Sequence, residues 1–225
     1  MFKVAPIVLA LLYGVVYYRF SVWRTSAELN SKSTELADPT LRAMCASMAD
    51  VLELEQVKVH IYEIEPVNGL AAPDGRIFIT RGFFKKYVTG EVSAKEIASV
   101  IAHELGHVAL GHSRRRLIDF SGQNAIRVAL GLVLGRIIPG VGVWLAGFLS
   151  RMLAARLSRQ DEYEADAYAA ALLIKSGIGV EAQKTLFEKL DALVNTSGQP
   201  LAWLMSHPKT ADRIAAIEKL ETRWK

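Results

Sequence analysis

Residues 93–117 read SAKEIASVIAHELGHVALGHSRRRL, and this stretch decides the fold. Ser93 and Glu96 form a capping-box pair: the hydroxyl accepts from the third backbone N–H of a helix, and the carboxylate reaches back to the cap. Ile97, Val100, Ile101, Leu105 and Val108 then recur at helical period, so one helix is expected from Ala94 to about Leu117. Inside it, His103-Glu104-Leu105-Gly106-His107 fits the pattern H-E-x-x-H. Residues four apart on a helix lie about 40° apart around its axis, so both imidazoles project toward one ion. Neutral imidazoles suit zinc, and Glu104 stands where a general base is needed. On a straight helix His112 lies about 180° from His103, so it reads as a cap or surface residue and not as a ligand.

A third ligand must come from elsewhere in the chain. The best candidate is Glu162, within Ser158-Arg159-Gln160-Asp161-Glu162-Tyr163-Glu164-Ala165-Asp166. Glu162 and Asp166 are four apart and share a helical face. One carboxylate can bind the ion while the other accepts the free N–H of a ligand histidine. Glu164 lies about 200° from Glu162 and is expected to point away. Ala165 and Ala167 leave room for a second helix to approach closely.

Outside these motifs the 225 residues read as one domain plus a membrane segment. The 51% hydrophobic content excludes intrinsic disorder, and a single cysteine, Cys45, excludes both a disulfide framework and a cysteine-rich metal cluster. Cys45 sits on an apolar stripe (Leu41, Met44, Met48, Val51, Leu52) of a helix opened by Pro39, and reads as a core residue. Val57-Lys58-Val59-His60-Ile61 alternates as a strand does, with His60 structural. Asn68-Gly69-Leu70-Ala71-Ala72 and Arg76-Ile77-Phe78-Ile79-Thr80 flank Pro73-Asp74-Gly75, a hairpin signal in which Asp-Gly supplies positive φ. Helices are expected at 82–88, 158–175, 180–193 and 208–221. The order of helix, short strands and more helices makes the fold α+β and mostly helical.

The amino-terminal segment and an internal insert carry the membrane reading. Residues 4–18 form an uncharged run, VAPIVLALLYGVVYY, between Lys3 and Arg19. Residues 1–20 suffice for a transmembrane helix if both cations snorkel, and Tyr13, Tyr17, Tyr18, Phe20 and Trp23 suit an interfacial belt. The expected organisation is an anchor at 1–24, a linker at 25–38, and a domain at 39–225 carrying an insert at 117–157. The insert is apolar, glycine-rich and basic. From Arg114 to Arg159 there are eight arginines, no lysine and one acid, Asp119, so this window alone is +7 in a chain of net charge +4. A membrane-dipping hairpin, a lid and ordinary core helices all remain open for 123–153. Basic and apolar together point to an anionic membrane surface and not to nucleic acid, for which no recognition motif exists.

Five pieces in order carry a family resemblance: the 68–80 hairpin ending in Arg81-Gly82, AHELGHVALGHS, SRQDEYEADAYA, Ser206-His207-Pro208, and Arg213. Together they resemble the zinc endopeptidases that include HtpX, BepA and the CAAX prenyl proteases, the peptidase M48 type. The resemblance implies a zincin-like domain with a small edge-strand sheet, binding one Zn²⁺ per chain through His103, His107 and Glu162. Glu104 would be the catalytic base, with Asp166 and Arg213 behind the ligands. Asn68, Gly69, Leu70, Ala71 and Ala72 would form the edge strand that pairs with a protein or peptide substrate. His207 would stabilise the oxyanion or occlude the site. The expected function is a membrane-anchored endopeptidase acting on unfolded or specific envelope proteins, set in a bacterial inner membrane with its domain in the periplasm. The alternative is a proteolytically silent chaperone or regulator of the same fold.

Overall fold

A computed structural model describes residues 5–72, 74–112, 138, 142–197 and 210–224. The chain divides into two compact units, residues 1–31 with 113–158, and residues 32–112 with 159–225.

In the first unit, α1 runs Ala5–Ser31. The expected anchor begins outside the described residues, which start at Ala5. Among the described residues no helix is long and apolar enough to cross a membrane. Phe20 and Trp23 are exposed with their rings 5.9 Å apart, and exposed Trp144 stacks on Phe148 at 5.8 Å. Most of the basic insert, 117–137 and 139–141, lies outside the described residues.

The second unit is built on a four-stranded sheet in the order β1-β2-β4-β3, with β1 Ser33–Glu35, β2 Val59–Tyr62, β3 Gly69–Ala71 and β4 Ile77–Thr80. The segment 25–38 is therefore not simply a linker, since α1 continues to Ser31 and Ser33–Glu35 pairs with β2. An edge strand half open to water needs no apolar alternation, so the polar triplet STE carried no strand signal. The uninterrupted Ile-Phe-Ile-Thr of β4 is buried at all four positions and takes the interior. It pairs in parallel with β2 and antiparallel with β3. The expected hairpin forms, with Ala72 N–H donating to Arg76 O at 2.8 Å. Gly75 alone adopts a positive φ there, +87°, while the Asp74 carboxylate accepts from the Arg76 N–H. The Asp-Gly pair thus splits the work between conformation and capping.

Helices cover this sheet. α2, Pro39–Val51, is capped by Asp38, whose side chain accepts from Leu41 N at 2.9 Å. Its Leu41, Cys45 and Met48 enter the core as expected. α3, Arg81–Val88, is capped by Thr80. Gly82 has no room for a side chain, because a Cβ there would lie 1.7 Å from Glu65 O. α4, Ala94–Ala109, starts at the capping box, with Glu96 N–H to Ser93 Oγ at 3.3 Å and Ser93 N–H to Glu96 Oε2 at 2.7 Å.

α4 ends about two turns before the expected Leu117. Gly111, at φ +70°, reverses the chain in the left-handed conformation that glycine adopts at low cost just past a helix end. α5 Gly142–Lys175, α6 Glu181–Ser197 and α7 Thr210–Trp224 complete the described helices. α5 from Arg159 onward, α6 and α7 belong to this second unit.

Candidate metal centre

α4 is buried from Glu96 to His107, so two histidines and two glutamates stand inside the protein. Burying that much polar matter is costly unless each group finds a partner. Glycine makes the partnership possible. A Cβ at Gly106 would meet Ala165 O at 3.0 Å and Ala165 Cα at 3.1 Å, so α4 and α5 touch backbone to backbone at this point. Of the two alanines expected to permit this approach, Ala165 is fully buried in the contact and Ala167 is only half-buried.

That approach brings three ligand-type groups together. His103 Nε2 and His107 Nε2 are 3.1 Å apart, and Glu162 places Oε2 3.4 Å from the first and Oε1 3.5 Å from the second. All three residues are buried. These spacings suit a small tetrahedral divalent ion, and the nitrogen and carboxylate donors are the types such ions take. Glu104, one residue beyond His103, is buried beside the group.

Behind His103 the support is ionic. Its Nδ1 stands 3.0 Å from Asp166 Oδ1, and Arg213 holds the same carboxylate from both sides, Nε to Oδ2 at 2.6 Å and Nη2 to Oδ1 at 2.7 Å. Arg213 is almost wholly buried, with its guanidinium 4.4 Å from the Phe187 ring centroid and Nη1 3.7 Å from Glu162. Burial alone would raise the Asp166 carboxyl. The Arg213 charge and its hydrogen bonds, with His103, outweigh burial and hold Asp166 below the usual carboxylate range. For His103 burial opposes the proton, but Asp166 and Glu162 more than offset it and bring the ring to about 9. A metal on His103 has to displace that proton.

Some contributors carried no signal in sequence. Gln183 on α6 donates to Asp166 Oδ1 at 3.2 Å and to its backbone O at 3.4 Å. His112, read as a cap or surface residue, is wholly buried, with Nδ1 2.9 Å from His107 Nδ1. Its Nε2 stands 3.2 Å from Glu164 and 3.8 Å from Asp161. Glu164 does point away from Glu162, but toward His112. The misreading came from continuing the helix through Gly111, whose position just after the last apolar residue was the available signal.

Of the remaining expected residues, His207 lies outside the described residues. The segment from Asn68 to Ala72 includes β3, which is the outer strand of the sheet among the described residues and packs against α4. Its backbone groups divide. Asn68 O accepts from Thr80 N–H at 3.0 Å, Asn68 N–H donates to Thr80 Oγ1, and Ala72 N–H donates to Arg76 O. Antiparallel pairing alternates, so Asn68, Leu70 and Ala72 face β4, while Gly69 and Ala71 direct their N–H and C=O to the open side. His60 is structural in kind, stacked on Phe78 at 5.3 Å.

Comparison with known proteins agrees with this centre. The chain is 32% identical to metalloprotease LoiP of Escherichia coli K12 over 178 residues, covering 79% of this chain and 68% of that one. It is 27% identical to a protease HtpX homolog of Leptothrix cholodnii over 232 residues, covering 88% of this chain and 77% of that one. With the human mitochondrial metalloendopeptidase OMA1 the identity is 23% over 181 residues, 76% of this chain but only 34% of that protein. The family model for Peptidase family M48 matches residues 35–221, which takes in β2, β3 and β4, the helix α4, the Glu162–Asp166 stretch of α5 and Arg213. The chain belongs to peptidase family M48, a family of metal-dependent peptidases.

Proposed function

We propose that this protein is a membrane-anchored zinc endopeptidase that cleaves extended segments of unfolded or specific envelope proteins. The observation that carries the reading is the buried group of His103, His107 and Glu162, with the two Nε2 atoms 3.1 Å apart, Glu162 Oε2 3.4 Å from His103 Nε2 and Glu162 Oε1 3.5 Å from His107 Nε2. Donors about 2.0–2.2 Å from a tetrahedral zinc stand about 3.3–3.6 Å apart, and three protein ligands leave a fourth position for reactants. Bound there, zinc supplies Lewis-acid polarisation of the scissile carbonyl. The chain's own groups do the rest. Glu104 takes the proton of the attacking water and returns it to the leaving amine. Asp166, fixed by Arg213 and Gln183, fixes the His103 tautomer so that Nε2 faces the ion. Gly69 and Ala71 offer the outward backbone groups to which an extended substrate adds as a strand. His207 is assigned by resemblance alone, to stabilising the oxyanion or to occluding the site.

The anchor at 1–24 and the basic, apolar insert are the basis for the membrane part of the proposal, in a bacterial inner membrane with the domain in the periplasm. The test compares wild type with Glu104→Gln on casein, with zinc measured in both. One zinc in each, with cleavage by wild type and a loss of about 100-fold or more in the variant, supports the reading. One zinc in each with cleavage by neither favours a silent chaperone or regulator. Absence of zinc from both overturns the site.

A further inference from the structure

We propose that His112 is the positioning residue of His107, accepting the Nδ1–H of that ring and thereby fixing the tautomer that turns Nε2 toward the metal. The proposal rests on the metal-site reading above and goes beyond it. The two ligand histidines are supported in different ways. His103 leans directly on a carboxylate, Asp166, that is itself gripped by Arg213. His107 leans on a second imidazole. His112 Nδ1 is 2.9 Å from His107 Nδ1, with the rings 5.1 Å apart and inclined at 67°.

A proton count leaves one arrangement. A neutral imidazole carries one N–H. An ion on His107 Nε2 puts that ring's proton on Nδ1, where it faces His112 Nδ1. His112 Nδ1 then has to be an acceptor, so its own proton sits on Nε2, the atom that faces Glu164 at 3.2 Å and Asp161 at 3.8 Å. The result is a continuous chain of donors from the ion through His107 and His112 to carboxylate. Carboxylate at the far end makes His112 a better acceptor, and through it makes His107 a better ligand. Gly111 builds this relay: its φ of +70° turns His112 back beneath the helix that carries His107.

His112, Asp161 and Glu164 also offer ligand atoms within 4.8 Å of one another, the geometry of a second ion site. The same count argues against filling both. An ion on His112 Nε2 would move that ring's proton to Nδ1, setting N–H against N–H across 2.9 Å. The second group therefore serves the first as an acceptor and does not bind an ion of its own.

The test uses the full chain loaded with zinc. Long-range ¹H–¹⁵N spectra of the five histidines should give His107 as the Nδ1–H tautomer and His112 as Nε2–H. Zinc affinity, by competition with a chromophoric chelator, should fall about 10- to 100-fold in His112→Phe. It should stay within about 3-fold in His112→Asn, whose Oδ1 stands where Nδ1 does. A purely structural role would lower the melting temperature of the metal-free protein and leave zinc affinity unchanged, which would overturn the inference. An Nδ1–H tautomer for His112 would overturn it too, as would two zinc ions per chain with only one lost in the variant. If His112→Phe does not fold, the tautomer in wild type decides. Absence of zinc binding in wild type overturns the metal-site reading itself, whereas equal affinity in folded variants overturns this inference alone.

Discussion

Gly106 shows how much one missing methyl group does. Its Cα is where α4 meets the backbone of α5 at Ala165. Gly106→Ala should cost about 1–3 kcal/mol, as over-packing against an unyielding backbone does, and should weaken zinc binding by moving both histidines away from Glu162. Thermal melting and chelator competition measure the two effects. Arg213 is the converse case, a charge that has to stay. Arg213→Met leaves Asp166 buried without its cation, an imbalance worth about 3–5 kcal/mol in urea unfolding. Arg213→Lys should recover only part of that, because lysine cannot grip a carboxylate with two parallel bonds. The sign of the His103 effect follows from its raised value. In metal-free protein its stabilisation is complete below about 6.5, its ordinary value, and is lost as pH rises through about 9. The urea midpoint of metal-free wild type should therefore fall across that window, and His103→Gln should flatten the fall. Cys45, pushed up to about 12 by burial, should resist iodoacetamide at neutral pH until the protein is unfolded.

At the scale of elements, α4 and β3 are the pair that matters, a helix carrying candidate metal ligands packed beside the outer strand among the described residues. Proline substitutions separate strand integrity from substrate pairing. Ala71→Pro removes an outward N–H and should leave folding and zinc content intact while raising KM for a peptide substrate. Leu70→Pro removes an inward one and should destabilise the sheet. Circular dichroism and steady-state kinetics distinguish them. The beginnings of two helices were legible because their signals are local: Ser93 with Glu96 announces α4, and Pro39 announces α2. The end of α4 was equally local but was misjudged, since Gly111 outweighs the run of residues beyond it. Beyond the hairpin, strand partners were not legible. β2 lies parallel to β4, and β1 came from a polar triplet, because pairing depends on which surfaces meet and not on the residues within one strand.

For the whole molecule, the charge pattern sets the largest expectation. A window of +7 within a chain of +4 leaves the rest at about −3, so binding to anionic vesicles should follow the insert. Replacing Arg127, Arg136 and Arg151 by glutamine in an anchor-deleted protein should weaken liposome sedimentation; unchanged binding would disprove the insert's part. The sequence by itself determined what is local or periodic: the helix bearing His103, Glu104 and His107, the hairpin from 68 to 80, and Glu162 and Asp166 on one face. Spacing of three or four residues determines these, and any helix enforces it. Only the tertiary structure decided that Arg213 and Gln183 close on Asp166, that Gly106 lets Glu162 reach the two histidines, and that His112 stands behind His107. Those contacts join residues from 5 to 59 positions apart. They form because buried charges and imidazoles must find partners wherever packing brings them, and no short-range pattern records that demand.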